Sequence, residues 1–479
     1  MRALVLLAVA GLGCSFTRFE HEACTMDKDC RGQFGFGAVC NADGLCEAAR
    51  PGSTSINSVA GASRCVTTFP DDLFTRPERY KNAIVIGSLM DHSSPAHLVR
   101  EKAISLAVKE AAGEKGADGK PVAAVFCDIA QKSDYDALTR PAAAVACANF
   151  LATSLGVSAI VGPSASGDTQ QVWEAMRPKG TVVISPAATS PSLLALEPTS
   201  SDGAPGFLWR VAPPDSLQGV VIADDMIARN VTNVAVVRET GAYGEGLAKV
   251  FQETFTAKGG KVTILSVSAD TQIGEATAMV AGSDVAEVLF ISSQQDWVVK
   301  FLNGASGQMG YDSKGIFLTD AAANASVLMG AATASRLFPR VRGTRPAPRD
   351  AKDYVFASFV ANYKAEYQGE DPTAATFSHH AYDAAWLALY GAAWSGLREN
   401  GVSGLGIARG LRRVSSGGPT TPIIPSSWAT VVNAFRTGGS VNLSGASGEL
   451  DFDPVTRNVM APIEIWSIAN GAIAHVDTK

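Results

Sequence analysis

Residues 159–192, AIVGPSASGDTQQVWEAMRPKGTVVISPAATSPS, decide the fold. Two short β-branched runs, Ala159 to Val161 and Thr181 to Ser185, each pass into Gly-Pro or Ser-Pro and then into small hydroxylated residues. That is the chemistry of a strand stopping and a helix beginning. With Thr169 to Arg177 as the crossover helix, the two strands are parallel and both loops emerge at one carboxyl edge. Neighbouring strands lie roughly 4.8 Å apart, so Ser166 on one loop and Thr189 on the next can reach a single carboxylate. Free N–H groups at the helix starts assist. The same hydroxyls can instead cap their own helices, and spacing alone leaves both readings open.

The rhythm continues on both sides. Before the segment come strands at 82–89 and 122–128 and helices at 96–112 and 140–155. After it, the Pro pair of WRVAPPDS (209–216) interrupts the pattern. A second block then alternates helices at 217–229, 246–258, 274–281 and 296–309 with strands at 233–238, 261–267, 286–292 and 315–319. Two such blocks predict two doubly wound, three-layer α/β lobes. Further breaks at RLFPRVRGTRPAPRD (336–350) and SSGGPTTPIIPSS (415–427) imply three crossings, a three-segment hinge that permits closure and restricts other motions. The expected division is lobe 1 at 82–210 plus 345–417 and lobe 2 at 211–344 plus 418–479.

A chain of 479 residues with 18% charged residues and a net charge of −6 has room for several cores and is no phosphate-backbone binder. Residues 1–13, MRALVLLAVAGLG, have the layout of a secretory signal ending before Cys14. They resemble a bacterial lipoprotein signal, with Gly11 departing from the preferred Leu. A lipid on Cys14 is therefore expected to be the membrane attachment, since no later stretch reaches the roughly 18 continuous apolar residues of a spanning helix. Ser15 resembles outer-membrane sorting, so the expected location is the periplasm or cell envelope, lipid-anchored, with the outer membrane favoured.

Cys24, Cys30, Cys40 and Cys46 are spaced C-x5-C-x9-C-x5-C in a stretch (14–47) too small for a hydrophobic core. Two disulfides must stabilise it, and three pairings are open. Cys127 and Cys147 form a further candidate pair, which leaves Cys65 over. Residues 48–81 are expected to be a linker that holds the body away from a membrane.

Six stretches occur in an order that resembles the type I periplasmic binding proteins, and among them the branched-chain amino-acid-binding group and the related receptor ligand-binding region. They are IVGPSASG (160–167), VVISPAATSPSL (182–193), YGEGLAKVFQETFTAKGGKV (243–262), RVRGTRPAPRD (340–350), HAYDAAWLALYGAAWSG (380–396) and GASGELDFDP (445–454). The resemblance covers about Asn82 to His475. It implies a Venus-flytrap architecture with the ligand between two lobes. It also implies that Ser166, with Ser164 in the same loop, and Thr189, with backbone from Ala187 and Ala188, hold a ligand carboxylate. By the same likeness Tyr243 lines the facing lobe and Asp320 receives a ligand ammonium.

Two departures affect the ligand. Ser293 to Gln295 or Trp297 stand where the amino-acid binders place an aromatic, and MDHSSP (90–95) lacks the usual glycine, so that Asp91 or His92 can enter the cleft. A polar side-chain pocket is expected rather than an apolar one.

Competing readings are specific. Asp320 can cap the segment that follows it, and Tyr243 can simply pack at a strand end. His379 and His380 are adjacent and point about 100° apart on a helix, poor geometry for one metal. No nucleophile elbow, H-E-x-x-H or P-loop is present, and GLGIARG (404–410) lacks a preceding strand. The expectation is a non-enzymatic solute binder for an amino acid or related carboxylate, without metal or cofactor, presented to an ABC-type importer or a signalling partner. The alternative is a surface interaction or sensor protein whose disulfide module makes the contact.

Overall fold

The computed structural model describes residues 23–25, 27–47, 59–114, 119–131, 136–399, 401–415 and 418–479. The signal at 1–13, Cys14 and positions 48–58 of the expected linker lie outside them. Among the described residues, no helix is long and apolar enough to cross a membrane.

The four-cysteine module carries β1 (Val39–Cys40) and β2 (Cys46–Glu47), paired antiparallel beside the Asp27–Phe34 helix. Its disulfides are Cys24–Cys40 and Cys30–Cys46. The module contacts the main body. Arg31 donates to Thr153 O at 3.2 Å and Ser154 O at 2.5 Å, and Phe36 stacks on Phe74 with centroids 6.0 Å apart. The expected linker is folded from Val59 onward: Ala62, Cys65, Leu73 and Tyr80 are buried, and β3 (Thr67–Phe69) joins a sheet of the main body.

That sheet, in lobe 1, runs β3–β5–β4–β6–β7–β8, with β4 (Ile84–Met90), β5 (Val122–Asp128), β6 (Ala159–Val161), β7 (Val182–Ser185) and β8 (Leu208–Arg210) parallel and β3 antiparallel at the edge. Period-two alternation divides its residues between two helical layers. Val122, Ala124 and Phe126 enter one core, and Ala123, Val125 and Cys127 enter the other. Lobe 2 repeats the plan as β10–β9–β11–β12–β13–β17–β18. Here β9 (Asn233–Glu239), β10 (Lys261–Val267), β11 (Glu287–Ile291), β12 (Gly315–Leu318) and β13 (Val341–Pro346) are parallel, closed by an antiparallel pair, β17 (Ile463–Ala469) and β18 (Ala472–Thr478).

Two expectations need correction. The expected lobe boundary at 417/418 falls inside the lobe 1 core: Ile423, Trp428, Val431, Phe435, Leu443, Leu450 and Val459 pack with Ile84, Val161 and Trp386. The third crossing therefore lies between Val459 and Ile463. The Pro- and Gly-rich stretch at 415–427 instead leads into a small sheet of β14 (Thr420–Pro422), β15 (Asn442–Gly445) and β16 (Gly448–Glu449).

The second correction concerns the cysteines. Cys127 pairs with Cys65, not with Cys147, which is left buried and reduced. The physical reason is topological: β3 runs antiparallel to β5, which brings residue 65 to the carboxyl end of β5. Burial pushes the Cys147 thiol up to about 12, so it is inert. Non-reducing peptide mapping is expected to recover a Cys65–Cys127 cross-link, with Cys147 alkylated only after unfolding. Cys65→Ser should lower stability by about 3 kcal/mol.

Two of the six motif stretches meet in this core. Asp383, fully buried on the Ser378–Arg398 helix, accepts from Ala446 N at 2.9 Å, Ser447 N at 2.7 Å and Ser447 Oγ at 2.5 Å. A Cβ on Gly445 would lie 2.2 Å from Asp383 Oδ2, which explains the glycine. Asp383→Ala strands three buried donors and should cost about 2 kcal/mol or more in a urea melt.

Candidate functional site

The two loops of the opening stretch converge as their parallel strands require. Gly162 adopts φ 96°, and a Cβ there would stand 2.5 Å from Leu89 O, so only glycine passes this turn. Pro163 O accepts from Ser185 Oγ at 2.6 Å, and Ser185 Oγ in turn accepts from Ala188 N at 3.1 Å. Ser166 Oγ accepts from Ser190 N at 3.2 Å. Ser166 is thus the first helical residue and ties the two loops together; it does not cap its helix, whose N-cap is Ala165. Ser164 Oγ, among the described residues, has the Met90 thioether alone, at 3.5 Å.

Across the gap, Tyr243 opens the Ala242–Ala257 helix and Asp320 follows β12. Tyr243 Oη donates to Asp320 Oδ1 at 2.5 Å, and Ala321 N donates to the same oxygen at 2.8 Å. Asp320 therefore holds its own turn and also faces the cleft. Burial is the largest influence on both groups, raising the Asp320 carboxyl above its usual range and the Tyr243 phenol well above its own.

Ser164, Ser166, Ala187, Tyr243 and Asp320 line one inner cavity between the lobes, of about 30 Å³. His97, Arg100 and Phe377 complete it from the lobe 1 helices, and Ser293 from lobe 2. Thr189 and Ala188 are not in the lining. Thr189 is buried outside it, with its hydroxyl beside the Asp215 carboxyl. His97 and Ser293 also line a wider outer cavity of about 830 Å³, bordered by Asp91, Arg140, Gln295 and Trp297. Asp91 thus reaches the cleft mouth as expected, whereas His92 bonds Glu101 instead, at 3.0 Å. His379 and His380 are buried.

The lobes touch directly. Ser190 Oγ donates to Ala242 O at 2.6 Å, Thr376 N to Asn324 Oδ1 at 2.8 Å and Thr376 Oγ1 to Ala323 O at 2.7 Å. The inner cavity holds about one water-sized volume, far below a ligand-sized pocket of roughly 300 Å³ or more. Entry of a solute therefore requires the lobes to part.

Two buried charged residues at the site lie outside the expectations from sequence. Asp215 follows the Pro pair of the first crossing and is fully buried, with the Thr189 hydroxyl beside its carboxyl. Burial and then the nearby Asp320 charge hold its carboxyl protonated well above the usual range. Arg100 sits one turn beyond His97 on the Pro95–Gly113 helix. The PPD triplet at a lobe crossing was a usable signal for the first. Arg100, within VREKA, looked like any solvated helix charge.

One wall of the inner cavity thus presents serine hydroxyls and the other a buried acid, Asp320, with a tyrosine hydroxyl on it. The family model described as "Periplasmic binding protein" matches residues 83–435. The chain belongs to that family. This periplasmic binding protein is of type I and falls in its branched-chain amino-acid-binding group. It is 29% identical over 391 residues, 78% of this chain and 85% of the relative, to the chemotactic signal transduction system substrate-binding protein BasB of Halobacterium salinarum. Its fold matches LivJ of Streptococcus pneumoniae, solved with isoleucine, at TM-score 0.62 and 22% identity, covering 82% of this chain and all of that one. It also matches an ABC-transporter solute-binding protein of R. palustris, solved with 4-hydroxybenzoate, at TM-score 0.64 and 16% identity, covering 83% and 97%.

A further, mostly apolar cavity of about 690 Å³ lies elsewhere, lined by Leu328, Phe338 and Phe356 among others. Its two arginines, Arg345 and Arg349, already pair with Glu464 and Asp353. It lacks the converging polar groups of the inner cleft.

Proposed function

We propose that this periplasmic binding protein captures a small solute bearing a carboxylate and an ammonium, an amino acid or close relative, by closing its lobes, without catalysing a reaction. The observation that carries this reading is the single cavity lined from one lobe by Ser164, Ser166 and Ala187 and from the other by Tyr243 and Asp320. The carboxylate takes the hydroxyls of the first wall and the ammonium takes Asp320, with Asp215 and Thr189 behind it. The closed form is what an ABC-type permease or a signalling partner recognises. The name of the halobacterial relative supports the signalling version. The chain is exported, with a lipid on Cys14 as its anchor, in the outer membrane.

Thermal-shift screening of the full mature chain against amino acids and small carboxylates tests the central part. A stabilising ligand whose effect is lost in both Ser166→Ala and Asp320→Ala is the expected result. The absence of any hit would favour a degenerate cleft in a surface interaction protein. Metabolic labelling with a fatty acid, lost in Cys14→Ser, tests the anchor.

A further inference from the structure

The inner cavity contains one charge that an uncharged amino acid leaves unanswered. Arg100 is 4% exposed, and its Nε donates to Thr376 O at 2.9 Å. Its guanidinium lies 5.3 Å from the centre of the Phe377 ring. Arg100 lines the cavity, and among the described residues its terminal nitrogens make no hydrogen bond and no ion pair. Asp320 is the acid whose charge reaches it, without contact. A buried guanidinium with both Nη groups open carries a desolvation cost that an anion must offset. Nothing lining the cavity supplies that anion except Asp320, which the ligand ammonium would occupy.

The surroundings hold Arg100 in place. Thr376, its one hydrogen-bond acceptor, is itself bonded across the lobe interface to Ala323 and Asn324. Phe377 adopts φ 69°, unusual for an aromatic residue, with its ring against the guanidinium. Lobe closure and the placing of this cation are therefore mechanically joined.

Three handles follow. Ser164, Ser166 and Ala187 suit one carboxylate, Asp320 with Asp215 behind it suits an ammonium, and Arg100 remains for a second acidic group. Resting on the solute-binding reading above, we propose that the preferred ligand is an amino acid with an acidic side chain, whose second carboxylate takes the two Nη groups of Arg100 as a bidentate pair. A branched aliphatic side chain in the same place would press against an unpaired guanidinium. A simple monocarboxylate would leave either the serine wall or the cation unmet.

Isothermal titration of the full mature chain with L-glutamate, L-aspartate, L-glutamine, L-leucine and benzoate tests this. One acidic amino acid is expected to bind at least about 100-fold more tightly than L-glutamine or L-leucine, a ratio set by the unpaired cation. That comparison needs no variant. In Arg100→Met the ratio should fall to within severalfold, and Arg100→Lys should restore part of it. Equal or tighter binding of L-glutamine, L-leucine or benzoate in the unaltered protein overturns the inference while leaving the solute-binding reading intact. So does an acidic preference that persists in Arg100→Met. If none of the five binds, the inference falls, and if the wider solute screen is also silent the solute-binding reading falls with it.

Discussion

Asp320→Ala is expected to weaken ligand binding by about a thousandfold, about 4 kcal/mol, while the free protein stays folded. The carboxylate is buried and accepts from Tyr243 Oη and Ala321 N through Oδ1, which leaves Oδ2 for an ammonium. Its removal leaves the ligand cation desolvated beside a phenol, with Asp215 as the remaining acid. The pH profile should carry the same signature. Burial raises the Asp320 carboxyl, and raises Asp215 further with the help of Asp320. In the free protein both groups therefore hold protons above the ordinary aspartate range, and their ionisation as pH rises costs folded-state stability. A bound ammonium reverses that penalty. The thermal shift produced by a saturating ligand should grow as pH rises from the ordinary aspartate range toward neutrality. Affinity should decline as pH falls back through the raised values. Asp320→Asn should flatten most of this dependence, and a profile unchanged in that variant would remove Asp320 from the ammonium site.

Arg210→Met is expected to cost about 4 kcal/mol of stability in the free protein. Arg210 is 4% exposed at the end of β8, where burial brings its guanidinium down to about 10. It donates to Ser190 O at 2.7 Å, Ala188 O at 3.4 Å and Asn458 Oδ1 at 2.6 Å, and its charge faces Asp215. One side chain thus pins the loop that carries Ala187, restrains the segment leading to the third lobe crossing, and offsets a buried carboxyl. Met fills much of the volume and supplies none of these partners. Urea denaturation should show the loss, and ligand affinity should drop alongside it because the Ala187–Ser190 loop is no longer held. A loss below about 1 kcal/mol would mean that the loop is fixed by Ser166 and Ser185 alone.

The lobes were legible because short β-branched runs between helical periods leave little choice of fold. The convergence of Ser166 with the SPAAT loop followed from parallel strands, and Asp320 from the family likeness. What escaped has physical reasons. The Pro and Gly density at 415–427 marks irregular chain, and nothing in composition says which lobe such chain packs against. The apolar residues that settle the matter, Trp428, Phe435 and Leu443, give no direction until partners are present. Cys65 pairs through an edge strand of three residues, too short to leave a periodic signal. Ala188 and Thr189 stand just beyond Ala187, on a loop that carries them out of the cavity lining. Arg100 has the sequence neighbourhood of a solvated charge, and only the Thr376–Phe377 wall across the helix shows that water is excluded from it.

The most direct measurement is a crystal structure of the full mature chain with the ligand identified by titration. A single guest molecule contacting Ser164 or Ser166 through a carboxylate and Asp320 through its ammonium, with the lobes closed on it, is the predicted result. A ligand held by one lobe alone, or seated in the cavity lined by Leu328, Phe338 and Phe356, would contradict the account.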